Sequence, residues 1–198
     1  MIINEKNIAE VVNISNNVYE KGLVSGKAGN ISTRHKSECG DIISITPTLK
    51  SLGDLKEEDV VLVDINGNIL TKGKPSSEVN MHIEIYKNRN DVNAIVHTHS
   101  PYATGFAFSS KRIKRYEGFG TVNSKFLAYI DYEKPGTNKL AKKAAEGLST
   151  ENVLILKNHG VVCISDNLKE AESLALFVEE TAKTQFITHM LNSSEDYI

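Results

Sequence analysis

The chain is poor in cysteine, has no long apolar run and carries no block of basic residues, and each shortage excludes a class of protein. Its two cysteines, Cys39 and Cys163, stand far apart with no CxxC spacing. Neither a disulfide framework nor a zinc ribbon can be built from them, and a reducing compartment fits. No apolar stretch approaches the roughly 20 residues needed to cross a bilayer, and the opening MIINEKNIAE is acidic and polar, unlike a secretory leader. The expected location is cytoplasmic, with no membrane contact. The formal net charge is −2, and the only basic cluster, KRIKR at 111–115, reads as a solvated loop, so nucleic acid is not an expected partner. Neither GxGxxG nor a phosphate loop ending in Gly-Lys-Ser/Thr occurs, which removes the two commonest glycine-rich nucleotide signatures. Without repeats or low-complexity linkers, residues 1–198 are expected to form one domain.

What is present is a set of short periodic segments. Between Ile3 and Glu20, apolar residues at Ile8, Val11, Val12, Ile14 and Val18 predict an amphipathic helix that Gly22 and Gly26 end. The β-branched runs at 42–46 and 60–65 predict strands, and the second returns through Asn66-Gly67-Asn68 as a hairpin with 69–71. Ser76 and Ser77 read as N-caps of a second helix bearing Val79, Ile83 and Tyr86 on one face. A buried strand is expected at 93–100, followed by a stretch to Pro135 in which no periodicity stands out. A third helix at 137–147, two strands around a turn within 153–165, and a long amphipathic helix at 168–191 complete the chain. Irregular alternation of helices and strands, with hairpin-like pairs, predicts an α/β fold with a mixed or largely antiparallel sheet and helices outside it.

The chemistry-bearing residues begin with His97 and His99. Two apart in a strand, their imidazoles project from the same face, which suits a shared metal. A catalytic zinc site commonly takes three protein ligands and leaves one position open, and His159, beside Gly160 at the end of the strand VLILK, is the best third candidate. Other His-x-His patterns fit poorly: a cupin site should show a nearby glutamate and a β-lactamase-type site Asp-His, whereas Ser100, Pro101 and Tyr102 follow here. His35 and His189 have no partner at ligand spacing, and His82, four residues after Glu78 on the same helix face, reads as a supporting or packing residue. Three polar segments could hold a phosphate: Gly29 to Ser32, Thr46 with Thr48, and Ser76 with Ser77 at a helix start, where unpaired N–H groups favour anions. Glu78 then stands where a carboxylate could be a cap or could move a proton next to a metal-bound carbonyl.

Taken in order, AGNIS, ITPT, KPSSE, VHTHSPYAT, PGTNKL and KNHGVV resemble the class II aldolase/adducin family over nearly the whole chain. The resemblance implies a three-layer α/β/α fold around a mixed, mostly antiparallel central sheet, assembled as a homotetramer with active sites at subunit interfaces. It also implies that His97, His99 and His159 bind Zn2+, that Gly29, Asn30, Ser76 and Ser77 hold the substrate phosphate, and that Glu78 handles protons. The implied activity is metal-dependent retro-aldol cleavage of a ketose 1-phosphate. Related epimerases carry aspartate where this chain has Glu78, which favours the aldolase branch, while a dehydratase branch shares the glutamate; adducin-like interaction modules lack the histidines kept here. Two departures stand out. Leu49 and Lys50 follow the TPT segment where the aldolases usually have glycine, and the segment from Ile113 to Lys125 matches poorly. A similar region of the family supplies a tyrosine proton donor from the neighbouring subunit, and Tyr116 is the candidate here.

Overall fold

The structure, a computed structural model, describes residues 5–36, 40–116, 118 and 124–193. Cys39, the first residues of the expected opening helix and part of the 113–125 segment lie outside the described residues. Helix α1 (Glu5–Glu20) turns Val11, Ile14 and Val18 inward at helical spacing, each burial contributing roughly 1.5–3 kcal/mol. Strands β1 (Asn30–His35), β2 (Ile42–Ile45) and β3 (Val61–Asp64) follow as an antiparallel set. After β3 the expected turn forms, with Asp64 accepting from the N–H groups of Asn66 and Asn68, but the returning arm makes only the bridge Val63 to Ile69. The hairpin stops there because Ile69 and Leu70 run out over an exposed edge rather than onto the core.

The rest of the chain alternates more regularly. Helix α2 (Val79–Asn88), strand β4 (Ala94–Thr98), helix α3 (Pro101–Phe108), strand β5 (Ala128–Ile130), helix α4 (Asn138–Gly147), strands β6 (Val153–Leu156) and β7 (Gly160–Ser165), and helix α5 (Leu168–Ser193) follow in order. Thr137 caps α4 by accepting from the Leu140 N–H. Helix α2 departs from the sequence expectation: Glu78, not a serine, occupies its N-cap position, and Ser76 accepts instead from the Glu78 N–H at 3.2 Å.

Among the described residues, the strands form one sheet in the order β3-β2-β1-β4-β7-β6-β5, antiparallel except for the β5–β6 pair. Helices cover both faces. On one, α1, α3 and α5 pack Val18, Ala103, Ala175 and Val178 against Ile31, Val96 and Val161. On the other, α2 and α4 pack Met81, Ile85, Leu140 and Ala144 against Ile45, Ile95 and Val162. This is the three-layer α/β/α arrangement, and it buries β1 and β4 at the centre, side by side, with Asn30 opposite His97.

Candidate functional site

The site forms where the central strands end. His97 is the fourth residue of β4 and fully buried. His99 lies one residue beyond the strand, anchored by its own N–H to the Leu23 carbonyl, so the strand alternation persists long enough to aim both rings to one side. His159 arrives from the β6–β7 turn, where Asn158 takes a left-handed φ of 52° that asparagine tolerates better than most residues. Its successor Gly160 has no Cβ, and one there would meet the Thr98 carbonyl, with His99 Cδ2 at 3.1 Å and His97 Cε1 at 3.3 Å. Glycine at that position lets the turn close onto the two other histidines.

The three rings stand edge to face, with centroids 4.8, 4.8 and 5.0 Å apart. Each offers one nitrogen to a group of ligand atoms lying within 4.8 Å of one another. His97 donates from Nδ1 to the Val161 carbonyl at 2.9 Å, so that whenever the ring is neutral its Nε2 carries the lone pair, and that atom lies 3.0 Å from His99 Nε2. Two buried polar atoms that find no hydrogen-bond partner among the described residues, His159 Nδ1 and Glu78 Oε1, belong to the same cluster. A donor set of three imidazoles with such atoms beside it fits a divalent metal of borderline softness.

Glu78 closes the group from the N-terminus of α2. Its Oε2 is 3.2 Å from His97 Nε2, and its Oε1 is 3.6 Å from His159 Nε2. Burial acts to raise the Glu78 pKa, but His97, through its charge and its hydrogen bond, followed by the neighbouring His159 and the Asn30 amide, outweighs burial and holds the carboxyl well below its usual range. His97 moves the other way: burial lowers it, and the charge and hydrogen bond of Glu78, with the Val161 carbonyl, raise it further than burial lowers it. Burial, followed by the charge of His97, pushes His99 down to about 3 and His159 down to about 4, so both are neutral near pH 7 and available as ligands.

The three segments expected to hold phosphate come together. The Thr46 hydroxyl accepts from the Ile31 N–H, the Thr46 carbonyl accepts from the Ser76 N–H, and Thr48 donates its N–H to Lys74. Gly29 turns the chain into β1 at φ 78°, and a Cβ there would strike Val24 and the His97 carbonyl. The run from Asn30 to Ser32 is strand rather than loop, and the Asn30 side chain is engaged with Glu78 and His82. Ser77 is exposed, with Gly136 of the PGTN turn packed against its carbonyl. Leu49, at a left-handed φ of 62°, directs an exposed side chain outward beside Thr48.

Tyr116 is not brought to the histidines within the chain. It is exposed and lines a groove of about 630 Å³ with Tyr102 and Phe106 of α3 and Phe186 and His189 of α5. The sequence reading left His82 as a supporting or packing residue, put Ser32 in a phosphate segment and Tyr86 on the apolar face of the helix, whereas the structure joins the three in a buried chain behind Glu78. The signal was the four-residue spacing of Glu78, His82 and Tyr86, which places them on one helix face.

The family profile described as Class II Aldolase and Adducin N-terminal domain matches residues 9–186. An L-fuculose phosphate aldolase of Methanococcus maripaludis is 40% identical over 184 residues, covering 93% of this chain and 98% of that protein. A 3-oxo-tetronate 4-phosphate decarboxylase of Haemophilus influenzae is 33% identical, with 89% and 85% covered. The solved structure of an L-fuculose 1-phosphate aldolase superposes with a TM-score of 0.88 at 28% identity, over 99% of this chain and 92% of that one. With that fold and that sequence likeness over nearly its whole length, the chain belongs to the class II aldolase and adducin family, as an enzyme of its aldolase side, a carbon–carbon lyase.

Proposed function

We propose that the protein reversibly cleaves a ketose 1-phosphate, L-fuculose 1-phosphate or a similar deoxyketose phosphate, into dihydroxyacetone phosphate and a small aldehyde. The observation that carries this reading is the Glu78 carboxylate lying 3.2 Å from His97 and 3.6 Å from His159 at the point where three imidazoles converge. His97, His99 and His159 would hold Zn2+, which when bound supplies a Lewis acid for a ketone oxygen. The protein's own groups do the rest. Gly29, Thr48, Ser76 and Ser77, on segments knitted together by backbone hydrogen bonds, bind the phosphate, with Asn30 at the strand start beside them. Cleavage moves one proton from the hydroxyl that becomes the aldehyde to the carbon that loses its bond. Tyr116, contributed to a neighbouring subunit of a homotetramer, relays the hydroxyl proton, and Glu78, ionised at rest, receives that proton and delivers it to carbon, so neither group gains or loses one over the cycle. The setting is cytoplasmic, consistent with the buried free thiol of Cys163.

The test is to load purified protein with zinc and incubate it with a panel of ketose phosphates, assaying dihydroxyacetone phosphate, epimer, dehydrated ketone and carbon dioxide in parallel. Cleavage to dihydroxyacetone phosphate, with Glu78→Gln retaining zinc but losing turnover, is the expected result. Epimerisation, dehydration or decarboxylation in place of cleavage would move the protein to another branch of the family. A metal-free, inactive protein that binds partners would make it an interaction module.

A further inference from the structure

Glu78 is tied to the interior by a chain of side-chain hydrogen bonds running between α2 and β1. Asn30 donates from Nδ2 to Glu78 Oε2 at 3.1 Å, and its Oδ1 lies 2.6 Å from His82 Nε2. His82 Nδ1 is 2.7 Å from Ser32 Oγ, which is 2.7 Å from the Tyr86 hydroxyl. All five residues are buried, His82 and Tyr86 completely. Glu78, His82 and Tyr86 follow one another at four-residue steps, facing Asn30 and Ser32 two apart on the strand.

Counting protons fixes the direction of this chain. An ionised carboxylate only accepts, so the edge of Asn30 facing it is the NH2, since the flipped amide would set oxygen against oxygen. Asn30 Oδ1 then requires a donor from His82, and a neutral imidazole carries a single proton, which therefore sits on Nε2. His82 Nδ1 is left as acceptor, and the Ser32 hydroxyl supplies it. The Tyr86 hydroxyl donates in turn to Ser32, whose carbonyl at 3.0 Å is a second acceptor for it. Every donor in the chain points towards Glu78.

We propose that His82 is a positioning residue for Glu78: its Nε2–H fixes the amide orientation of Asn30, and Asn30 fixes the place of the carboxylate. This rests on Glu78 being the acid/base group. Without His82, the amide of Asn30 can turn about its broad, two-fold terminal torsion, and Glu78 loses a charge-assisted hydrogen bond for part of the time.

The experiment measures kcat, KM and zinc content for zinc-loaded wild type, His82→Leu, His82→Gln, Asn30→Ala and the double variant His82→Leu/Asn30→Ala. In His82→Leu, kcat is expected to fall about 10–100-fold, the range for removing a supporting partner of a metal site, with KM and zinc content unchanged. His82→Gln, whose amide can donate to Asn30, should recover most of it. In the Asn30→Ala background, His82→Leu should add nothing, because residues acting one through another are non-additive. Wild-type kcat in His82→Leu, zinc lost in step with activity, or effects that multiply in the double variant would each overturn the proposal. If the leucine variant does not fold, Ser32→Ala frees Nδ1 to carry the proton and should lower kcat several-fold, and unchanged kcat there counts against it equally. If wild type cleaves no ketose 1-phosphate, the aldolase reading fails by itself. Crystal structures of the zinc-loaded proteins then decide the positioning role: Asn30 and Glu78 displaced in His82→Leu and restored in His82→Gln support it, and an unmoved Glu78 sinks it.

Discussion

A single missing Cβ holds the histidine cluster together. Gly160 brings the β6–β7 turn against Thr98 and the edges of the His97 and His99 rings, so an added methyl collides with the Thr98 carbonyl and crowds both rings, moving the turn that carries His159 away from them. Gly160→Ala is expected to lower zinc affinity at least tenfold. The general loss of stability should stay within the roughly 1–3 kcal/mol usual for overpacking. Metal analysis after dialysis, set beside a thermal melt, checks this, and a fully zinc-loaded Gly160→Ala protein would rule it out. At this scale the sequence carried much of the site. His97, His99, His159 and Glu78 stand out less by their spacing, since Glu78 alone could be a helix cap, than by standing in motifs that resemble the family's. Asn30 was harder to read: an asparagine after glycine looks like turn chemistry, and only its pairing opposite His97 on β4 turns its side chain to Glu78 and His82.

Elements contribute through their ends. Helix α3 begins directly after His99 and Ser100, and its first free N–H groups, those of Tyr102 and Ala103, both donate to the buried carboxylate of Glu179 on α5 at 2.9 Å. A carboxylate at a helix N-terminus also meets the positive end of the helix dipole. Replacing it by alanine leaves one buried and one part-buried donor without their partner and should cost about 2–3 kcal/mol, measurable as a lower midpoint in urea unfolding, with Glu179→Gln intermediate. An unchanged midpoint in Glu179→Ala would show that water satisfies those groups. Of the elements that escaped the sequence reading, two did so for opposite reasons. Strand β1 turns Asn30, Ser32 and Arg34 towards the polar stripe of α2, so its inward face lacks the apolar pattern that marks a strand. Helix α3, PYATGFAF, is apolar nearly all round and shows no helical periodicity, although Pro101 at its first position is a start signal.

On the scale of the whole molecule, the groove that Tyr116 lines does not include His97, His99 or His159 of the same chain. Nearby, α5 exposes Phe186, Ile187 and Met190. An apolar helix face of this kind beside the candidate tyrosine supports the proposed homotetramer, in which one subunit completes the site of the next. Mixing is a direct check. Glu78→Gln and Tyr116→Phe proteins should each be nearly inactive alone. Unfolded and refolded together in equal amounts, they should regain about a quarter of wild-type activity, because that fraction of shared sites draws both intact residues. Activity that stays at the single-variant level after mixing would place the tyrosine in the same chain as the glutamate or outside the reaction.

The sequence by itself determined the alternation of helices and strands, through periodicity, and carried the motifs by which the chain resembles its family and which mark the candidate chemical groups, because both are properties of the chain read locally. The tertiary structure alone decided which of those groups meet. Antiparallel pairing of β1 with β4 sets Asn30 opposite His97, packing of α2 over that pair lowers Glu78 and His82 onto it, and the β6–β7 turn delivers His159 from across the sheet. The physical reason is that contacts between residues on different elements follow from sheet register and helix packing, and neither is encoded in the spacing of any one segment.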